Sequence, residues 1–141
     1  MTKTRHRARE VALQILYRYE VNEADGKGEP PTGLDLANDL KRHFEHFQVD
    51  ESFRAFSAEL VAGTLLKRPE IDKEIEKRAT NWKMTRMSVI DRSLLRMSLY
   101  ELSHFPDTPK AVVIDEAIEL AKQFGTQDSA AFINGILDAR I

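Results

Sequence analysis

The stretch SVIDRSLLRMSLYELSH, from Ser88 to His104, decides the fold class of this 141-residue chain. Its apolar side chains recur at steps of three and four residues, which is the period of an α-helix. They form two rows, Ile90-Leu94-Met97 and Leu95-Leu99-Leu102-Phe105. A helix that is apolar on two sides is typically central in a bundle, and this segment is therefore predicted to be the core helix. Pro106 and Pro109 are predicted to stop it.

The segments before it show the same helical period. Helices are predicted around residues 8–19, over 34–47, from a cap at Asp50 to the residues before Pro69, and over 69–79. Residues 22–33 contain three glycines and the pair Pro30-Pro31, and they are predicted to form a loop. Residues 81–84 are predicted to be a packed connector into the core helix.

The segments after it predict two more helices. One is expected to be capped by Thr108, to have Pro109 at its first position and to stop at Gly125. The last is expected to be capped by Asp128 or Ser129. No alternating apolar pattern is long enough for a sheet. The prediction is an all-α fold of about seven helices in two packed bundles, a single domain over 1–141 with an N-terminal helical subdomain (1–67) and a C-terminal one (68–141).

The bulk composition favours a soluble protein without disulfides. Hydrophobic residues make up 42% of the chain, which is enough for a core, and the absence of cysteine excludes disulfides and thiolate metal sites. No apolar run approaches the roughly 20 residues that span a bilayer. The charged N-terminus is not followed by the apolar region of a signal peptide. A cytoplasmic protein without membrane contact is expected.

The charge is distributed unevenly. The whole chain is −2, but Lys3, Arg5, Arg7 and Arg9 make residues 1–9 +4, which leaves −6 for the remainder. A basic end on an acidic body can hold phosphate locally. Lysine and arginine neutralise RNA phosphates, and a guanidinium plane also stacks on unpaired bases.

A row at spacing four links this basic start to a tyrosine. Arg5, Arg9, Leu13 and Tyr17 are predicted to lie on a different side of the first helix from its apolar face, where Tyr17 would offer a stacking surface. The alternative is a solvated helix start whose tyrosine packs in the core. Chemistry alone leaves both interpretations open.

Other patterns point weakly to chemistry. His43 and His46 have the i, i+3 spacing of a ligand pair, but two ligands do not complete a tetrahedral metal site. Asp115 and Glu116 stand near a predicted helix start, where the helix dipole already favours acids. The sequence Gly26-Lys27-Gly28 lacks the strand and spacing of a phosphate loop. The expectation is no enzyme, no metal and no cofactor.

Several motifs follow one another in a distinctive order. They are RHRAREVALQILY (5–17), DRSLLRMSLYEL (91–102), VIDEAIELAKQFG (113–125) and DSAAFINGILD (128–138). Together they resemble the NusB family of transcription antitermination factors over essentially the whole chain, most weakly between residues 22 and 50.

This resemblance implies a non-catalytic RNA-binding adaptor. Members of the family bind the boxA element of nascent ribosomal RNA together with NusE, a small-subunit ribosomal protein. They act within the elongating RNA polymerase complex with other Nus factors. Two packed helical bundles are implied as well, in agreement with the fold predicted from periodicity.

The resemblance also implies RNA-binding residues. These are Lys3, Arg5, His6, Arg7, Arg9, Tyr17, Lys122, Asp128, Ser129 and Phe132, with His6 standing where the family often carries arginine. Asp128 would accept a hydrogen bond from a base edge, a role compatible with capping. Phe132 would stack on an unpaired base, or it belongs to the core. Arg92 and Arg96 are expected to be structural and paired with carboxylates.

Two alternative functions stay open from the sequence. The chain could be a stand-alone helical protein–protein module whose basic end is incidental. It could also be an accessory RNA-binding domain related to those of ribosomal RNA cytosine methyltransferases. The choice between monomer and homodimer is open too.

Overall fold

The computed structural model describes residues 2–139, and side chains from residue 5 onward. The expected phosphate contact of Lys3 therefore lies outside the described side chains. Within residues 2–139 there are seven α-helices and no strand, which confirms the all-α prediction. The helices are α1 (Thr2–Ala24), α2 (Gly33–His46), α3 (Glu51–Leu66), α4 (Arg68–Arg78), α5 (Val89–His104), α6 (Lys110–Phe124) and α7 (Ser129–Leu137).

Backbone contacts divide the chain into two units. The first covers residues 1–65 with α1 to α3, and the second covers residues 66–141 with α4 to α7. The division falls at the end of α3, close to the subdomain boundary expected at 67/68.

Helix α5 is the centre of the second unit, as its two apolar rows predict. It packs against α4, α6 and α7, and every residue from 93 to 101 is buried. Its start is fixed by Ser88, whose hydroxyl accepts a hydrogen bond from the Asp91 N–H at 3.1 Å. This cap satisfies one of the backbone donors that the first turn of a helix leaves open.

Two arginines of α5 are structural. Arg96 is buried, and it forms a bidentate pair with Asp72 of α4, at 2.8 Å from Nε and 3.1 Å from Nη2. This confirms the carboxylate partner expected for Arg96. Arg92 donates to the backbone carbonyls of Met84 and Met87, at 3.0 and 3.1 Å. It thereby holds the 3₁₀ turn Met84–Arg86 against the start of α5.

Two predicted boundaries differ from the structure, and a third is confirmed. Helix α1 continues to Ala24, so the loop begins after it and not at Asn22; Gly26, with φ 74°, is the first strong helix-stopping residue. Pro109 occupies the N-cap position and Lys110 is first in α6, one residue later than predicted. The predicted Asp50 cap is confirmed, since its carboxylate accepts from the Ser52 N–H at 3.0 Å.

Candidate nucleic-acid interface

Arg5 is the most accessible described cation of the basic start. Its side chain is exposed, and its guanidinium lies 4.3 Å from the ring centroid of Phe56 in α3. A cation over an aromatic face is attracted by the ring quadrupole. Phe56 therefore supports the Arg5 guanidinium at the surface of the first unit, with its donors available to a phosphate.

Arg7 and His6 are partly exposed neighbours of Arg5. Arg7 forms an ion pair with Glu10 one turn later, and its side chain keeps 40% of its surface accessible. A phosphate would have to compete with Glu10 for this guanidinium. His6 is half-buried and adds a ring nitrogen to the same end of α1.

Arg9 and Leu13 contradict the predicted separate row. Arg9 is 3% exposed with its guanidinium 5.3 Å from the Phe56 ring, and Leu13 is completely buried. Because a spacing of four residues drifts by about 40° around a helix, the row turns into the core and leaves it again. Tyr17, at its end, is 42% exposed. The alternative of a core tyrosine is therefore wrong, while Arg9 is placed to position α1 and not to meet a phosphate.

Near the C-terminal end of α1, a polar cluster forms around a carboxylate of α2. Asp39 of α2 accepts a hydrogen bond from the Tyr19 hydroxyl and another from Arg42 at 3.0 Å, and the His43 Nε2 lies 3.4 Å away. Burial alone would raise the pKa of Asp39, but the Tyr19 and Arg42 hydrogen bonds outweigh it and lower the pKa. Burial also lowers the pKa of His43, against the attraction of Asp39. This cluster ties α2 to α1.

The same cluster predicts that acid destabilises the first unit. The pKa of His43 is lowered from its ordinary value of 6.5, so as pH falls below that value the unfolded chain binds a proton that the folded ring resists. The free energy of unfolding is expected to fall between about pH 7 and pH 5 in urea titrations. Asp39 would add to this loss only at more acidic pH, below its ordinary value of 3.8. Replacing His43 by Gln should reduce the change in the free energy of unfolding between about pH 7 and pH 5. An unchanged pH dependence in this variant would show that His43 is not its source.

In the second unit, the loop before α7 carries Asp128 and Ser129. Asp128 is exposed at the N-cap position, yet its side chain makes no capping hydrogen bond. Ser129 is 1% exposed, and its hydroxyl accepts from the Thr126 N–H at 2.9 Å. The predicted side-chain cap is therefore absent, and the Asp128 carboxylate is open to another donor. Ser129 closes the loop, while its expected direct contact with RNA stays a prediction.

Phe132 lies one turn into α7, and it is neither fully exposed nor part of the core. Its ring meets Trp82 edge to face, with centroids 5.4 Å apart and planes at 76°. Trp82 is 54% exposed, so the prediction that this connector is packed is wrong for its tryptophan, although Met84 is buried. Sequence reasoning missed Trp82 as a surface aromatic, because its neighbour Phe132 is 50 positions away.

The remaining expected residues and sites are less distinctive. Lys122 is exposed in the last turn of α6, where its ammonium lies 3.8 Å from Glu119. His43 faces Asp39, and no group of three histidine, aspartate or glutamate side chains within the described residues is arranged to hold a metal. No helix in the described part of the chain is long and apolar enough to cross a membrane.

The comparison with known sequences points to one family. The sequence model of the NusB family matches residues 6–141. The chain is 43% identical over 134 residues to the transcription antitermination protein NusB of Desulforapulum autotrophicum, covering 95% of this chain and 88% of that protein. It is 45% identical over 143 residues to that of Geotalea uraniireducens, covering 96% and 92%.

Solved structures agree with the sequence comparison. Thermotoga maritima NusB superposes with a TM-score of 0.76 at 31% identity, covering 95% of this chain and 87% of that one. A NusB chain solved with NusE and double-stranded RNA superposes with a TM-score of 0.77 at 26% identity, covering 97% and 95%. These structures share the all-helical architecture described above.

Proposed function

This chain belongs to the NusB family of transcription antitermination proteins, and we propose on that premise that it is an RNA-binding adaptor without a catalytic step. Its ligand would be the boxA element of nascent ribosomal RNA, bound together with NusE. The adaptor would act within the elongating RNA polymerase complex alongside other Nus factors. The likeness to the NusB chain solved with NusE and RNA is the observation that carries this proposal.

The described surface supports RNA binding in each unit. In the first, the exposed Arg5 and Tyr17 offer a phosphate contact and a stacking ring. In the second, Asp128 offers an acceptor, and Phe132 and Trp82 offer rings. The basic residues at the start of α1 are few and the net charge of the chain is −2, so RNA affinity should be modest without a protein partner.

The proposal is tested by fluorescence anisotropy of a labelled boxA RNA titrated with the protein, with and without NusE. Selective binding relative to a scrambled RNA, tightened by NusE, is the expected result. Equal or absent binding of both RNAs in the presence of NusE would contradict the proposal. Equal weak binding would favour the protein–protein module. Sedimentation of the free protein would show whether it is a homodimer.

Replacing Arg5 and Arg7 together by alanine is predicted to weaken boxA binding with little effect on folding. Each lost phosphate contact reduces the salt dependence of single-stranded RNA binding, so the slope of log affinity against log salt should become shallower by about 1.4. Anisotropy titrations at several salt concentrations measure the slope, and circular dichroism checks that the helices persist.

The matched control replaces Lys41 and Lys77, two exposed lysines on α2 and α4, by alanine. This control removes two positive charges at a distance from the basic start. It therefore distinguishes the loss of direct phosphate contacts from the effect of the overall charge on RNA binding. An equal loss of slope in the control would remove the basic start from the binding site.

A further inference from the structure

We propose that Trp82 stacks on an unpaired base of the bound RNA, as part of a patch formed by Trp82, Phe132 and Asp128. We call it the α7 patch. The inference rests on the proposed RNA-binding function and adds a residue that none of the sequence motifs above contains. The occupant to which it commits is a single-stranded nucleobase with its phosphodiester.

The backbone brings Trp82 to the beginning of α7. Arg78, at the end of α4, donates to the carbonyls of Ile136 and Leu137 at 3.3 and 2.8 Å, which are in the last turn of α7. Four residues later, Trp82 contacts Phe132. The connector therefore runs along α7 in the opposite direction, from its last turn to its first.

This course places two aromatic rings next to the open carboxylate. Phe132 follows Asp128 by four residues, about 6 Å along the helix axis. Trp82 touches Phe132 and therefore lies beside the same turn. In the proposed complex, the polar edge of the stacked base faces Asp128, an acceptor that is not used for capping. The α7 patch thus combines stacking with the recognition of a base edge.

The exposure of Trp82 suits an occupant of this kind. More than half of its surface is accessible, at 54%, and an exposed tryptophan beside a second aromatic ring is typical of a binding surface. Its edge-to-face contact with Phe132 holds the indole in place, which reduces the entropy lost when a base stacks on it.

Two exposed cations follow Trp82 in the chain and match the charge of a phosphodiester. Lys83 and Arg86 are both exposed, and neither forms an ion pair with another described residue. They distinguish this patch from an apolar protein-docking surface, because a strand of RNA carries a phosphate at every base. Proteins that bind single-stranded nucleic acid typically combine aromatic rings, on which bases stack, with nearby cations that contact the backbone.

The chain contains one tryptophan, so fluorescence excited selectively at the indole reports on the α7 patch, apart from the three tyrosines. The experiment titrates unlabelled boxA RNA into the full-length protein at low salt and follows tryptophan emission, while anisotropy of labelled RNA follows binding. Stacking on a base is expected to quench the emission with the same midpoint as the anisotropy change.

Variants test whether the stacking contributes to affinity. Replacing Trp82 by Ala should weaken RNA binding about tenfold, and Trp82→Phe should retain most of the affinity. The control Phe47→Ala removes an exposed aromatic side chain from the end of α2 in the first unit, and should leave affinity unchanged. Quenching in the unmodified protein does not depend on whether the Trp82→Ala variant folds.

The outcomes separate this inference from the proposed function. If labelled RNA binds while the emission stays constant and Trp82→Phe and Trp82→Ala bind as the original does, the stacking role is wrong and RNA binding stands. If neither signal changes even when NusE is added, both are wrong. A loss in Phe47→Ala equal to that in Trp82→Ala would also overturn the inference.

Discussion

Replacing Asp72 by alanine is expected to lower the free energy of unfolding by about 3 kcal/mol, because it leaves the buried Arg96 guanidinium without its carboxylate. Arg96 is 7% exposed and donates two hydrogen bonds to the Asp72 carboxylate. A buried guanidinium that loses two charge-assisted hydrogen bonds does not regain the hydration it gave up on folding. The lower end of the usual range applies since the Asp72 side chain keeps 26% of its surface accessible. Urea denaturation followed by circular dichroism measures the change.

Two further variants distinguish pairing from helix propensity. Glu70→Ala removes another α4 carboxylate, one that is 71% exposed and 3.9 Å from Lys67, and should cost less than about 1 kcal/mol. Asp72→Ala combined with Arg96→Met should recover much of the stability lost in Asp72→Ala alone, since the guanidinium that lost the Asp72 carboxylate is then removed as well. Equal destabilisation by Glu70→Ala and Asp72→Ala would contradict the pairing argument.

Replacing Gly125 by alanine is expected to cost about 3 kcal/mol by overpacking the loop that leads into α7. A Cβ there would lie 2.5 Å from the Ser129 Oγ and 2.7 Å from the Ala121 carbonyl oxygen. That carbonyl accepts the Gly125 N–H at 2.8 Å, so it cannot withdraw without breaking the last hydrogen bond of α6. Denaturation measures the stability, and anisotropy with boxA RNA should show weaker binding, because Asp128 and Phe132 are displaced with α7.

Gly135→Ala is the matched control within α7. A Cβ at position 135 meets nothing within 4 Å, and alanine favours a helix more than glycine does. This variant is expected to be neutral or more stable by up to about 1 kcal/mol. If Gly125→Ala behaved like Gly135→Ala, the close approach to Ser129 would not be a constraint.

The helices were predictable because their evidence is local. The two apolar rows of α5, the Asp50 cap and the glycine after α6 are readable within a few residues of each position. Gly125 shows the limit of such reasoning: the stop was placed correctly, but the contact that requires a glycine there comes from the next helix. Its φ is −94°, and glycine is needed there because Ser129 is too close for a side chain.

Charge and helical spacing indicated only the basic start and Tyr17 as candidate RNA contacts, and the other candidates depended on the resemblance to a family. Exposure depends on what a distant segment covers, so Arg9 could not be recognised as buried before α3 brought Phe56 against it. The same reason hides Trp82, whose aromatic partner is in α7. Asp128 and Phe132 were named from the resemblance, and their contact with RNA stays a prediction.

Helix α7 has only nine residues, and this shortness affects its dynamics. Isolated helices of fewer than about 12 residues are marginal in water, so α7 persists through the burial of Ile133, Ile136 and Leu137 and through the groups that hold its two ends. Those are Arg78 at the last turn and the Thr126–Ser129 hydrogen bond at the first. Amide hydrogen exchange along α7 should therefore be governed by the opening of this element as one unit. A substitution of Arg78 would then increase how often the whole helix opens. It would thereby displace Phe132 more often, although Arg78 contacts the opposite end of α7.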